Sequence, residues 1–228
     1  MNHRRIRITP EFLAKYNLST DPPPQDSLFF KMWNANAGIA NQSLNTDFVQ
    51  GIKNGNLDPI KYGAFNVTDA YYCYEGAQDY LNAESQATDP TLKAFLFKKY
   101  ESYNKYNQTF TTVWHLRDAS GIVPLPSTLA YANFEGDVAS HQLPIYTLIT
   151  MIPCEYLWYW LANQLAPPAP GNIYAPWITG NDYPDGAYAM GNFIATYQQS
   201  HNIDENLAMS LYSQAMNYEL QNFIAATQ

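Results

Sequence analysis

The sequence predicts an all-α protein folded as a single-domain helical bundle, and three observations carry that prediction. Apolar residues recur at helical spacing over nearly the whole chain, and no run of alternating residues is bounded by hairpin turns. Breaks fall where turn chemistry places them: Asn54-Gly55, Asp89-Pro90, Gly121 through Pro126, Ala166 to Gly171 and Gly180 to Gly186. At 228 residues, with no Pro/Gly/Ser linker or shift in composition, one core is the simplest arrangement. Residues 1–26 read as an N-terminal extension and 27–228 as the helical domain.

The expected helices follow in order. The first two span 27–44 and 46–53, the second stopping at Asn54-Gly55. A long helix over 59–84 and another over 91–117 flank the Asp89-Pro90 break. After the turn at 121–126 come helices over 127–140 and 143–166. The Pro-rich loop "APPAPGNIYAPW" then leads to helices over 185–201 and 204–226. In the last helix Tyr212, Met216, Leu220 and Phe223 form an apolar stripe, and Glu219 lies three after Met216 and four before Phe223, on the inward face. A glutamate placed there needs a partner or a raised pKa. In the long third helix, Phe65, Asp69 and Tyr72 follow an i, i+4, i+7 line that sets Asp69 among aromatic rings, whereas a face through Ala64, Val67 and Tyr71 sets it in water.

Composition narrows the function. Hydrophobic residues are 46% of the chain and aromatic residues 15%, with 19 Tyr and 5 Trp, enough for a close-packed interior and for polar-tipped rings that line cavities. Only 14% of residues are charged and the net charge is −8, which argues against a binder of nucleic-acid phosphates. The basic start His3, Arg4, Arg5, Arg7 reads as a solvated tail. Two cysteines, Cys73 and Cys154, make no disulfide framework, and the N-terminus lacks the apolar stretch of a signal peptide, so a reducing cytoplasm is expected. Residues 143–166 are long enough to span a membrane, but Pro153, Glu155, Asn163 and Gln164 interrupt them and their aromatic rings sit mid-segment, as in a buried central helix.

No metal or cofactor motif is present. The histidines His3, His115, His141 and His201 complete no E-x-x-H pair, and His115 reads as a structural or surface residue at a helix end. A G-x-S-x-G elbow, a P-loop and a G-x-G-x-x-G are also missing. What remains is an aromatic pocket with carboxylates and a thiol. Cys154 reads either as a small core residue or as a nucleophile. Pro153 supplies no N–H to the Ile149 carbonyl, which predicts a kink beside the thiol. Glu155 points about 100° away round the helix and is a poor proton acceptor for it, while Glu219 is a better one if the two helices meet.

Several segments resemble the TenA, or thiaminase II, family, whose fold is of the all-α haem-oxygenase-like type. The stretch "DFVQGIKNGNLDPIKYGAFNVTDAYYCY" is similar to one family helix pair, and "AYANFEGDVASHQLPIYTLITMIPCEYLWYWL" aligns without a gap to the segment that carries the family cysteine. Further on, "YAPWI" and "NYELQNF" resemble the family's later motifs, so the likeness runs in order over 47–223. It implies that Cys154 is the nucleophile that adds to an aminopyrimidine ring, that Asp69 binds the ring nitrogen and amino group, and that Glu219 moves protons. Tyr72 and Tyr131 would stack on or bond to the ring. The implied reaction is hydrolytic loss of the group on the pyrimidine methylene, as ammonia or as the thiazole of thiamine, by a cofactor-free homotetramer.

Three positions depart from the family pattern. Asn181 stands where a tyrosine follows the "WI" motif, with Tyr183 two further on; Trp158 replaces a tyrosine four after the cysteine; Thr68 replaces a glutamine before Asp69. Asn181 and Trp158 bear on which substrate is accepted. Two other functions stay open at this point: a non-catalytic pyrimidine-binding or regulatory protein, and a different reaction on the same fold.

Overall fold

The computed structural model describes residues 10–15, 19–113 and 119–228, so His3, Arg4, Arg5, Arg7, His115 and Arg117 lie outside the described residues. The described residues contain helices and no strand. In chain order these are α1 (Pro10–Lys15), α2 (Leu28–Ala35), α3 (Ala37–Leu44), α4 (Asp47–Asn54), α5 (Pro59–Gln86), α6 (Pro90–Asn107), α7 (Phe110–Val113), α8 (Pro126–His141), α9 (Ile145–Leu165), α10 (Ala175–Gly180), α11 (Asp185–Tyr197) and α12 (Glu205–Ala225).

Local chemistry starts and stops them. Asp58 and Asp89 each precede a proline and accept a backbone N–H of the first turn, from Ile60 and Leu92. Asp204 does the same for Asn206 and Leu207 at the head of α12. At the end of α4, Gly55 takes a left-handed φ of 69° that a residue with a Cβ adopts only under strain.

The structure divides two of the expected helices. The segment 27–44 breaks at Asn36, whose Nδ2 donates to the Met32 carbonyl and leaves the helical path at φ −109°. The helix over 91–117 ends at Asn107, whose Nδ2 donates to the Cys73 carbonyl on α5, and α7 follows as a separate turn. Helices α1 and α10, six residues each, were too short for apolar periodicity to reveal. Part of the N-terminal extension is fastened to α11, where Asn192 donates to the carbonyls of Ser19 and Asp21.

Helix α9 is the axis of the bundle. Every residue from Ile145 to Cys154 on it is buried. Helix α12 packs on α9, α8 and α3, while α5 packs on α6 and α8. Among the described residues, no helix is long and apolar enough to cross a membrane. The stripe of α12 is buried throughout, with Tyr212, Met216 and Phe223 at 0% exposure and Glu219 at 3%.

Candidate active site

Four helices converge on one small cavity. Helix α5 contributes Phe65, Thr68, Asp69 and Tyr72, α8 contributes Thr128 and Tyr131, α9 contributes Trp158, and α12 contributes Glu219 and Asn222. The α5 residues share a face because they sit at i, i+3, i+4 and i+7. This settles which way Asp69 turns: it is half-buried and faces the bundle. Tyr72 and Tyr131 stack with centroids 4.8 Å apart, and Tyr131 stacks in turn on Tyr218 at 5.5 Å. The Trp158 indole N–H donates to Glu219 Oε2 at 3.1 Å, and Thr128 Oγ1 donates to Asn222 Oδ1 at 3.2 Å.

A second cavity lies on the other side of Trp158. It is lined by Cys73, Tyr103, Glu155, Trp158, Asn181, Tyr183, Gly186 and Ala187. The volumes are about 10 Å³ for the first cavity and about 20 Å³ for the second, each on the scale of a single water. Trp158 is the wall between them. The structure therefore brings Asp69, Tyr72, Tyr131, Trp158 and Glu219 together, and places Asn181 and Tyr183 in the neighbouring space. The Asn181 side chain donates to the Trp177 carbonyl at 2.7 Å, one turn back, and so is held against its own helix.

Cys154 lines neither cavity and lies behind Tyr103, a wall residue of the second. It is 1% exposed, its Sγ lies 3.1 Å from the Tyr103 hydroxyl, and it donates to the Met151 carbonyl at 3.2 Å. On the other side the thiol is near enough to the Tyr72 and Tyr131 phenols to act on them electrostatically. Helix α9 continues as one element through Pro153. The proline still withholds an N–H from the Ile149 carbonyl beside the thiol.

Burial controls the ionisation of this cluster. Tyr72, Tyr103 and Tyr131 have their phenol pKa values pushed well up, first by desolvation and then by the acidic groups around them. Glu135 on α8 is fully buried and accepts a hydrogen bond from the Tyr72 hydroxyl at 3.0 Å. Desolvation, and then Asp79, raise its carboxyl well above the usual range. Asp79 itself is raised to about 8 by burial and by Glu75.

Sequence reasoning missed Glu135, Tyr103 and Lys99. Each had a signal. Glu135 follows Tyr131 by four positions, and Lys99 and Tyr103 continue the buried stripe Leu92, Phe95, Leu96 of α6. The Lys99 ammonium forms an ion pair with Glu155, with side-chain exposures of 1% and 12%. Glu155, already set aside as a partner for the thiol, is committed to that lysine. Among the described residues, no group of histidine, cysteine and carboxylate side chains could hold a metal ion.

This arrangement defines an all-α bundle of the TenA fold with a buried thiol, two carboxylates and stacked tyrosines at its centre. Solved structures with that fold include a TenA homologue from Pyrococcus horikoshii, at TM-score 0.75 and 18% identity over 88% of this chain and 98% of that one. A TenA family transcription regulator from Silicibacter aligns with TM-score 0.75 and 14% identity over 90% and 98% of the two chains. A proposed TenA-like thiaminase from Sulfolobus solfataricus aligns at 0.65 and 14% over 86% and 93%. No protein-family model matches the chain, and no curated protein matches it.

Proposed function

We propose that this chain is a TenA-family hydrolase of the cysteine-containing type, acting on an aminopyrimidine. The observation that carries the reading is the enclosure of Asp69, Tyr72, Tyr131 and Glu219 around one cavity whose neighbour is the Cys154 thiol. The fold shared with TenA homologues and with a proposed TenA-like thiaminase supports it.

In this mechanism Asp69 receives hydrogen bonds from the amino-bearing edge of the ring. The Cys154 thiolate adds to the ring, and the electron pair moves outward to expel the group on the exocyclic methylene. Glu219 protonates an amine leaving group, which departs as ammonia, whereas a thiazolium takes the C–N electron pair and departs as neutral thiazole with no proton added. Water then adds to the methylene, its proton returns through Glu219, and the ring releases the thiolate to restore aromaticity. Stacked Tyr72 and Tyr131 match a flat heterocycle. Because a pyrimidine is far larger than either cavity, seating it requires the Trp158 indole to swing and join the two spaces.

The test is ammonia release from an aminomethylpyrimidine by the purified chain. Turnover that disappears in Cys154→Ala is the expected result. Tight binding without turnover, unchanged in Cys154→Ala, would sink the enzyme reading and favour a regulatory protein, the role printed for one structural neighbour. The family reading carries with it a homotetramer located in the cytoplasm, for which sedimentation and cell fractionation are the checks.

A further inference from the structure

We propose that Tyr103 is a positioning residue for the Cys154 thiol, its hydroxyl donating the hydrogen bond that holds the sulfur as a thiolate. The inference rests on the reading of Cys154 as the nucleophile and adds a group which that reading does not contain.

Ionisation sorts the hydrogens. The thiol gives its own hydrogen to the Met151 carbonyl at 3.2 Å; across its 3.1 Å contact with Tyr103 either atom can donate while the thiol is protonated, but once it is ionised only the phenol can, in competition with Tyr80. When the thiol proton leaves, the Met151 carbonyl no longer attracts the sulfur, and the Tyr103 hydroxyl keeps its bond as a charge-assisted one. Tyr103 is 2% and Cys154 1% exposed, and the low dielectric around buried groups strengthens that bond. Burial, followed by Cys154 and Tyr80, raises the Tyr103 pKa, so the phenol keeps its proton over the range in which a thiol titrates.

Two features hold the Tyr103 ring where it can do this. Gly76 on α5 leaves the space: a Cβ there would stand 3.3 Å from Tyr103 Cε1 and 3.4 Å from Met151 Cε. Lys99, one helical turn before Tyr103, sets its ammonium 5.6 Å from the Tyr103 ring centroid and 5.7 Å from that of Tyr80. The Lys99–Glu155 ion pair pins that ammonium in place. Around the thiol stand Tyr72, Cys73 and Tyr80 from α5, Tyr103 from α6 with Lys99 behind it, and Tyr131 from α8. Glu135, Glu155 and Glu219 stand beyond these phenols. Anionic neighbours oppose a thiolate, so a donor at the sulfur is what offsets them.

The experiment follows the rate at which iodoacetamide alkylates Cys154 against pH, read by mass spectrometry on the Cys154 peptide so that Cys73 does not contribute. Tyr103→Phe keeps the ring and deletes the donor. Its alkylation midpoint is expected to rise by about one to two pH units, cutting the thiolate fraction near pH 7 roughly tenfold or more. An unchanged midpoint overturns the proposal. If Tyr103→Phe does not fold, Gly76→Ala displaces the ring instead: a midpoint shifted the same way supports the inference, and an unmoved one ends it. Alkylation needs no substrate. A shifted midpoint in a protein that releases no ammonia would refute the hydrolase and leave the role of Tyr103 standing.

Discussion

The indole N–H of Trp158 on α9 donates to Glu219 Oε2 on α12 across 3.1 Å, so the residue that divides the two cavities is latched to a carboxylate of the candidate site. Opening the space for a ring breaks that bond. Trp158→Phe removes the latch and part of the bulk. It is expected to lower stability by about 1–3 kcal/mol, because a buried acceptor loses its donor. It should also lower KM for thiamine more than for an aminomethylpyrimidine, since the larger leaving group gains most from the added room. Equal KM values in variant and wild type would mean that Trp158 does not partition the site.

Glu219→Gln keeps an oxygen that accepts from Trp158 and loses only the transferable proton. Turnover is expected to fall by about 10²- to 10⁴-fold while ligand binding changes little. Titration calorimetry beside a rate assay separates the two. Matching losses in both would make Glu219 a ligand contact without a part in proton transfer.

The Lys99–Glu155 pair gives a stability prediction. Lys99→Met strands a largely buried carboxylate and is expected to cost about 3–5 kcal/mol, most of it recovered by adding Glu155→Gln. Gly186→Ala reaches the same pair from α11, because its Cβ would fall 1.9 Å from Glu155 Oε2. A loss of about 1–3 kcal/mol from that overpacking is expected. Denaturant unfolding of the three variants provides the check.

Asp79 sets a pH dependence. Its carboxyl titrates at about 8 in the folded chain, against an ordinary value of 3.8. Between those values the unfolded chain has lost a proton that the folded chain keeps. Stability from this group is therefore greatest at low pH and falls as pH rises, by about 1.4 kcal/mol per unit, levelling off above pH 8. Asp79→Asn is neutral throughout and is expected to be the more stable protein at pH 8, with the advantage shrinking toward pH 4. Urea unfolding at several pH values reads this directly, and parallel curves for the two proteins would show that Asp79 ionises normally.

Much of this was legible along the chain because it depends on spacing. The stripe that places Glu219 inward on α12, the Asp89-Pro90 break and the Asn54-Gly55 stop are all local, and the structure bears them out. Helix length was less legible. Asn36 and Asn107 divide expected helices through single side-chain bonds to carbonyls, the second of them to Cys73 thirty-four residues away. Apolar periodicity does not register such bonds.

Spacing within one helix determined the bundle class and the set of chemical groups available: one thiol on a buried central helix and acids placed on inward faces. Which groups meet was decided by how the helices cross. That Trp158 bonds Glu219, that Lys99 holds Glu155, and that the Tyr103 hydroxyl reaches the Cys154 sulfur over a gap left by Gly76 are contacts between residues 51 to 61 positions apart. Their physical cause is packing. A helix sequence specifies the face a side chain lies on, but the depth to which it enters a neighbour, and the partner it finds there, follow only from the assembled core.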